Sequence, residues 1–315
     1  MKPTAGLLCS SLLIVLALAC TAQGAGYSLT WEAKGSTFFD KFNFITYNDP
    51  SLGFVNYGYI SVKANGQVKL KPDTSNVVAA GARGRDSVRL ESKTLFNGGV
   101  FVADVAHMPT GCGTWPAWWT YGPSWPTNGE IDIIEGVNRD TVNAATLHTS
   151  AGCDMTSVNQ TQLMTGTFLE PNCDTTAGNG CGVDASANSY GAPFNTAGGG
   201  VYALEWTTWR IRVWYFNRTR IPADITAGNP NPAAWGKPFA YFALGTNCPA
   251  SHFRNHTMTI NLTFCGAWAG NSWVWGSDSV CAAKGTCVDF VRKNPSAFTE
   301  AYWLFNSVRA YQWAN

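Results

Sequence analysis

The sequence is poor in charge. Asp, Glu, Lys and Arg make up 13% of its 315 residues and leave a net charge of +1, where an average chain has about a quarter charged. A partner held by long-range electrostatics is therefore not expected, and the basic residues form no run of the kind that tracks phosphates, so neither is nucleic acid. Histidine is scarce as well: His107, His148, His252 and His256 lack metal-ligand spacing, and no two cysteines form a C-x-x-C pair, so no metal site is expected. No Gly-x-Ser-x-Gly elbow supports a serine hydrolase, and Gly178-Asn-Gly-Cys-Gly182 lacks the third glycine and the strand-to-helix setting of a dinucleotide fingerprint. No sustained amphipathic helical period appears, and only residues 295–302 suit a short helix.

What the chain has instead is aromatic surface, with 14 tryptophans, and short alternating runs. Residues 1–22, with Lys2, an apolar core over 7–19 and the small residues around Cys20 and Ala22, read as a secretory leader. Their apolar run is shorter than the ~20 residues a membrane span requires; a lipid-anchored Cys20 is the weaker alternative. Residues 23–315 then form one extracellular domain, for which a monomer is expected and no membrane partner. Without Cys9 and Cys20, eight cysteines remain, an even set in an oxidising compartment. Cys173 with Cys181 and Cys281 with Cys287 are the favoured local pairs; the alternative is that these four join distant strands. Asn-x-Ser/Thr sequons begin at Asn159, Asn217, Asn255 and Asn261, the last inside an expected strand.

Period-two runs bounded by Gly, Asn, Pro and Asp are expected to form strands at 59–62, 67–71, 87–91, 99–105, 130–135, 144–148, 201–206, 209–216, 258–264 and 307–312. Residues 149–200 are polar and glycine-rich and read as a long disulfide-tied loop region. The fold class is all-β, two stacked antiparallel sheets.

The segment Asn128-Gly-Glu-Ile-Asp-Ile-Ile-Glu-Gly136 carries the chemistry. On a strand, Glu130 and Asp132 share one face while Ile131 and Ile133 take the other; Glu135 has the wrong parity unless a β-bulge near Ile133-Ile134 adds a residue. Three acids on one face must share protons. Retaining glycosidases need this, because one carboxylate attacks the sugar while another, still protonated, releases the leaving oxygen. A solvated or cation-binding acidic strand is the competing interpretation.

At these residues the chain resembles glycoside hydrolase family 16, with its Glu-x-Asp-x-x-Glu pattern on a bulged strand. The resemblance extends to Gly111-Cys-Gly-Thr-Trp-Pro-Ala-Trp118, Thr146-Leu-His-Thr149, Tyr202-Ala-Leu-Glu-Trp206 and Ser307-Val-Arg-Ala-Tyr311, and it is strongest to the fungal laminarinase-type endo-1,3(4)-β-glucanases. It implies a jelly-roll sandwich with a concave substrate cleft. It also implies Glu130 as nucleophile, Glu135 as general acid/base, and Asp132 as the residue that holds Glu130 and tunes its proton. Trp118, Trp125 and Trp268 are implied as cleft positions, since aromatic planes pack against the C–H faces of sugars; Trp115 and Trp119, which alternate differently, are weaker candidates. Thr-Leu-His-Thr marks His148 as a cleft residue able to reach Glu135. Asn56 and Arg89 resemble residues that bond sugar hydroxyls on the non-reducing side, and Glu205 is a further candidate. No cofactor is expected; family members can carry a structural calcium, but no Asp-rich loop points to one.

The function that follows is a secreted endo-β-glucanase acting on β-1,3 or mixed β-1,3/1,4-glucan with retention. A transglycosylase is the first alternative, and a glucan-binding recognition protein without catalysis the second.

Overall fold

The computed structural model describes residues 26–58, 61–64 and 66–314; the expected leader, residues 1–22, and part of the expected strand 59–62 lie outside them. In chain order the strands begin with β1 Tyr27–Ala33, β2 Phe42–Phe44, β3 Val55–Tyr57, β4 Ser61–Ala64, β5 Gln67–Leu70 and β6 Arg85–Ser87. They continue as β7 Arg89–Phe96, β8 Gly99–His107, β9 Thr114–Tyr121, β10 Glu130–Glu135, β11 Ala144–His148 and β12 Thr167–Glu170. The last are β13 Cys181–Asp184, β14 Gly200–Trp206, β15 Arg210–Asn217, β16 Ala240–Ala243, β17 His256–Phe264 and β18 Trp303–Trp313. One sheet runs β16-β15-β14-β8-β18-β5-β4, with β1 also on β18; the other runs β12-β13-β11-β10-β9-β17-β7-β2. Both are antiparallel throughout, and they stack as a jelly-roll sandwich.

Alternation puts one face of each sheet into a shared core. Phe101, Ala103, Tyr202, Leu204, Val213, Phe305 and Val308 of the first sheet meet Leu90, Trp118, Ile131, Ile133, Ile134, Leu147 and Ile260 of the second. Strand β14 is buried along its whole length, because Val201 and Ala203 lie under a second cluster with Trp214 and Trp235 on the outside of the first sheet.

The structure departs from the expected elements in several places. The run 87–91 is broken: Arg85–Ser87 pairs in parallel with β3, and β7 starts at Arg89. Strand β9, which the periodicity did not reveal, is central in its sheet although it carries Pro116, a residue usual at edges. Between β17 and β18 lies a helical insertion, Gly266–Ala269, Ser272–Ser277, Ser279–Ala282 and Cys287–Lys293. Its helices are too short for a 3.6-residue period to show, and side-chain caps start three of them: Asn271 accepts from Trp273 N, Asp278 from Val280 N and Cys281 N, and Thr286 from Asp289 N. The short helix expected within 295–302 is present as the 3-10 helix Pro295–Phe298. The region 149–200 is less irregular than expected, since it holds β12, β13 and the helix Gly191–Thr196.

The disulfides are Cys112–Cys281, Cys153–Cys248, Cys173–Cys181 and Cys265–Cys287. Cys173–Cys181 follows the local expectation; Cys281–Cys287 does not form. Cys281 lies in the helix Ser279–Ala282 and Cys287 opens the next, and they bond instead to Cys112, ahead of β9, and Cys265, just past β17. The helical insertion is thereby stapled to the ends of two central strands. Constraining the unfolded chain over separations of 169 and 22 residues stabilises the fold, by about 3–5 kcal/mol per bridge in the loop-entropy picture.

Peptide mapping of unreduced protein should therefore recover Cys112 linked to Cys281 and Cys265 linked to Cys287. A peptide pair joining Cys281 to Cys287 would contradict this connectivity.

Candidate active site

The acidic strand is β10, and its register carries the bulge. Against β9, Asp132 pairs with Trp119 but Ile134 with Trp118; against β11, Asp132 pairs with Thr146 but Glu135 with Ala144. The extra residue lets Ile131, Ile133 and Ile134 all enter the core and returns Glu135 to the face of Glu130 and Asp132. Bulges leave backbone groups without ladder partners. Here the buried Asn143 side chain supplies both: its Nδ2 donates to Ile133 O at 3.0 Å and its Oδ1 accepts from Glu135 N at 3.0 Å.

Each glutamate receives an indole N–H. Trp115 Nε1 donates to Glu135 Oε1 at 2.8 Å, and Trp125 Nε1 donates to Glu130 Oε2. Trp125 is exposed on the β9–β10 connection. That connection is anchored by the fully buried His256, whose ring bonds Asn128 O at 2.7 Å and Thr120 Oγ1 at 2.8 Å. Burial lowers the His256 pKa to about 4, so the ring is neutral at ordinary pH, with Nε2 donating to the carbonyl and Nδ1 accepting the hydroxyl. His148 lies nearest Asp132, Nε2 to Oδ2 at 3.1 Å, rather than against Glu135 as expected. The residue beside it in space, Gly180, has φ +83°, and a Cβ there would meet Leu147 O at 2.5 Å and His148 Nδ1 at 2.6 Å; only glycine leaves the ring its place.

Burial raises all three carboxyl pKa values. Glu130 is pushed to about 8, first by desolvation and then by the charge of Asp132, against the favourable charge of His148 and the Trp125 N–H. Glu135 is pushed to about 7 by desolvation, against the Trp115 N–H and His148. Asp132, 1% exposed, is raised well above an ordinary aspartate by desolvation and then by Glu135. The group therefore keeps a proton near neutrality, and its protons belong to the cluster more than to any one residue. Ligand-bearing atoms of Glu130, Asp132 and His148 lie within 4.8 Å of one another, a convergence that linear histidine spacing did not reveal.

The other expected site residues divide. Arg89 lies on the acidic face, 4% exposed, in a buried ion pair with Glu91 at 2.9 Å and 5.0 Å above the Trp119 ring. Trp268 is half-buried and meets Trp115 edge-on at 5.7 Å. Trp118 is a correction: it is fully buried in the core between the sheets, because even positions of β9 point inward there. The odd positions Trp115 and Trp119 face outward with the acids, Trp119 donating to Asn261 Oδ1 at 2.8 Å. Glu205 is a second correction: it lies on β14 in the opposite sheet, bonded to Arg210 at 3.0 Å and Arg212 at 2.7 Å. Asn56 bonds Asp86 at 2.6 Å and Arg83 at 3.4 Å, with no bond to the acidic strand. Asn143, Glu91 and Asn261 were missed; Asn261 sits in a sequon, yet its side chain is spent on Trp119 and Tyr57.

A family model described as the XgeA-like catalytic GH16 domain matches residues 42–311. The endo-1,3(4)-beta-glucanase of Arthroderma benhamiae is 43% identical over 95% of this chain and 68% of its own length. Several Aspergillus relatives named for the same activity are matched over about half of theirs. Laminarinase 16A of Phanerochaete chrysosporium, solved with 6-O-glucosyl-laminaritriose in donor and acceptor sites, is 42% identical, with a TM-score of 0.86 over 91% of this chain and 99% of that one. A structure described as an elongating family 16 β-1,3-glucosyltransferase is 38% identical, with a TM-score of 0.83 over 91% of this chain and 100% of that one.

Two outcomes follow. Trp118→Ala should lose about 3–5 kcal/mol of stability through its cavity, whereas Trp119→Ala, on the outward face, should lose activity with a smaller drop in melting temperature, since it gives up only its contacts with Asn261, Arg89 and Tyr121. A carboxyl whose folded pKa is raised binds more protons folded than unfolded, so its stabilising contribution is complete below the ordinary value of 4.5 and is lost as pH rises through about 7 for Glu135. Thermal melts should therefore show Glu135→Gln more stable than wild type at pH 8, with the difference vanishing near pH 4.

Proposed function

The chain belongs to glycoside hydrolase family 16, and from that membership we propose that it is a secreted endo-β-glucanase hydrolysing β-1,3 or mixed β-1,3/1,4-glucan with retention of configuration. The observation that carries this reading is the pair Glu130 and Glu135 on one outward face, each with raised proton affinity and an indole N–H. Secretion rests on the leader reading of residues 1–22, outside the described residues. Among the described residues no helix is long and apolar enough to cross a membrane.

In the reaction, Glu130 attacks the anomeric carbon while the glycosidic C–O bond breaks and Glu135 gives its proton to the departing oxygen. Water then enters, Glu135 takes its proton, and the resulting hydroxide equivalent displaces Glu130. Attack needs Glu130 ionised. Asp132 is the most buried of the three acids, and its two oxygens lack hydrogen bonds beyond the acidic cluster and His148, so its anion is costly and the proton that the cluster shares can rest there during attack. A neutral Asp132 no longer repels the Glu130 anion, which His148 and the Trp125 N–H favour. Outward Trp115, Trp119 and Trp125 offer planes for a neutral, hydroxyl-rich chain.

The second reading, a transglycosylase, draws on the glucosyltransferase at 38% identity: a sugar hydroxyl in place of water would intercept the same intermediate. Incubating the protein with β-1,3-glucan and a labelled acceptor oligosaccharide separates the two, since transfer yields labelled products longer than the acceptor. A binding protein without catalysis is disfavoured because both glutamates are retained.

Azide tests the division of roles. Glu135→Ala should still form the intermediate from an activated aryl glycoside and, with azide, release the β-glycosyl azide; it should also lack the alkaline limb expected of wild type as Glu135, its pKa pushed up to about 7, loses its proton. Glu130→Ala with azide should give the α-product by single inversion. The opposite stereochemistry would exchange the two roles.

A further inference from the structure

Away from the catalytic carboxylates, the second sheet carries a polar and aromatic assembly centred on one acceptor. Glu91 Oε1 accepts from Tyr47 OH at 2.7 Å, from Tyr121 OH at 3.0 Å and from Arg89 Nε at 3.0 Å, with Arg89 Nη2 at 2.9 Å. The Arg89 guanidinium lies 5.0 Å from the Trp119 ring and 5.8 Å from those of Tyr47 and Tyr121. Trp119 and Tyr121 stack at 5.1 Å.

Register places this assembly. Tyr121 pairs across strands with Glu130, and Trp119 with Asp132; Thr259 pairs with both Trp119 and Glu91. Glu91 thus lies three strands from Asp132, ~14 Å at ~4.8 Å per strand, too far to touch a sugar bonded to Glu130. Tyr47, 46% exposed, lies beyond it. The rings of Trp119, Tyr121 and Tyr47 therefore line the outward face from the reacting carboxylates toward the β7 and β2 side of the sheet, with the buried Arg89 guanidinium packed against all three.

Arginine at 4% exposure demands a counter-charge, and Glu91 supplies it while orienting two phenols. We propose that Glu91 is a positioning residue: through Oε1 it fixes Tyr47, Arg89 and Tyr121 as a preformed wall for the glucan chain beyond the cleaved bond, setting affinity for long chains without entering the chemistry. The proposal rests on the β-glucanase reading of the site. Preforming the wall spares the complex the ordering of three long side chains, so its loss falls on binding and grows with chain length.

The experiment compares wild type, Glu91→Gln and Tyr47→Phe on polymeric β-1,3-glucan and on an activated aryl β-glucoside that fills only the reacting position. Glu91→Gln should raise KM on the polymer about 10-fold with kcat within about 2-fold, and leave the aryl glucoside unchanged. Tyr47→Phe, which keeps the Arg89–Glu91 pair, should raise the polymer KM about 3-fold. The same order should appear in calorimetric Kd values when two-unit and six-unit β-1,3-gluco-oligosaccharides are titrated into Glu130→Gln with and without Glu91→Gln, the six-unit ligand losing more. Equal losses on both substrates, or an unchanged polymer KM in both variants, overturns the proposal. A wild type that turns over neither substrate sinks the functional reading instead, and the titration still decides the role of Glu91.

Discussion

An extra residue in β10 governs the arrangement of this protein. Without the bulge, strict alternation would bury Glu135 and expose Ile134, and the core would hold a carboxylate that no basic group reaches. With it, three isoleucines enter the sandwich and three acids leave it. Asn143 makes the distortion tolerable by bonding the two backbone groups at its ends, and its own N–H is held by Ser189 Oγ at 2.9 Å, so the geometry of the site reaches back into the loop before β14.

Gathering the acids opposes stability, and the surroundings limit the cost. Indole N–H groups reach Glu130 and Glu135 from two residues that precede β10, Trp115 on β9 and Trp125 on the connection that His256 anchors. Neutral donors of this kind favour the carboxylate without adding a counter-ion strong enough to strip the cluster of its proton. A lysine or arginine in the same place would depress the pKa values that acid catalysis requires. The cationic Arg89 is instead neutralised by Glu91, two residues along the same strand β7.

The helical insertion and the sandwich share this logic of support from outside the strand. Trp268, on the insertion's first helix, meets Trp115 edge-on, and Trp115 holds Glu135. Two disulfides tie the insertion to the start of β9 and the end of β17, the strands that carry Trp115, Trp119 and Asn261. Rigidity at the rim is thereby passed to the acid.

The sequence by itself determined the all-β class, the acidic strand, the need for a bulge within it and the family resemblance, because each depends on local alternation or on a contiguous motif. It also led to Cys173–Cys181, where the chain between the two is short. Tertiary structure decided what local order does not encode. Which tryptophans of β9 face outward depended on register against β10 and β17, and Trp118 and Trp119 exchanged places accordingly. Glu205 sits in a motif that fits the family pattern, yet its strand belongs to the opposite sheet. Cys281 and Cys287, close in sequence, chose partners on two different strand ends, and helices too short for periodicity were fixed by caps and cross-links. Asn143 and Glu91 act on groups that only sheet pairing and chain return bring within hydrogen-bond distance.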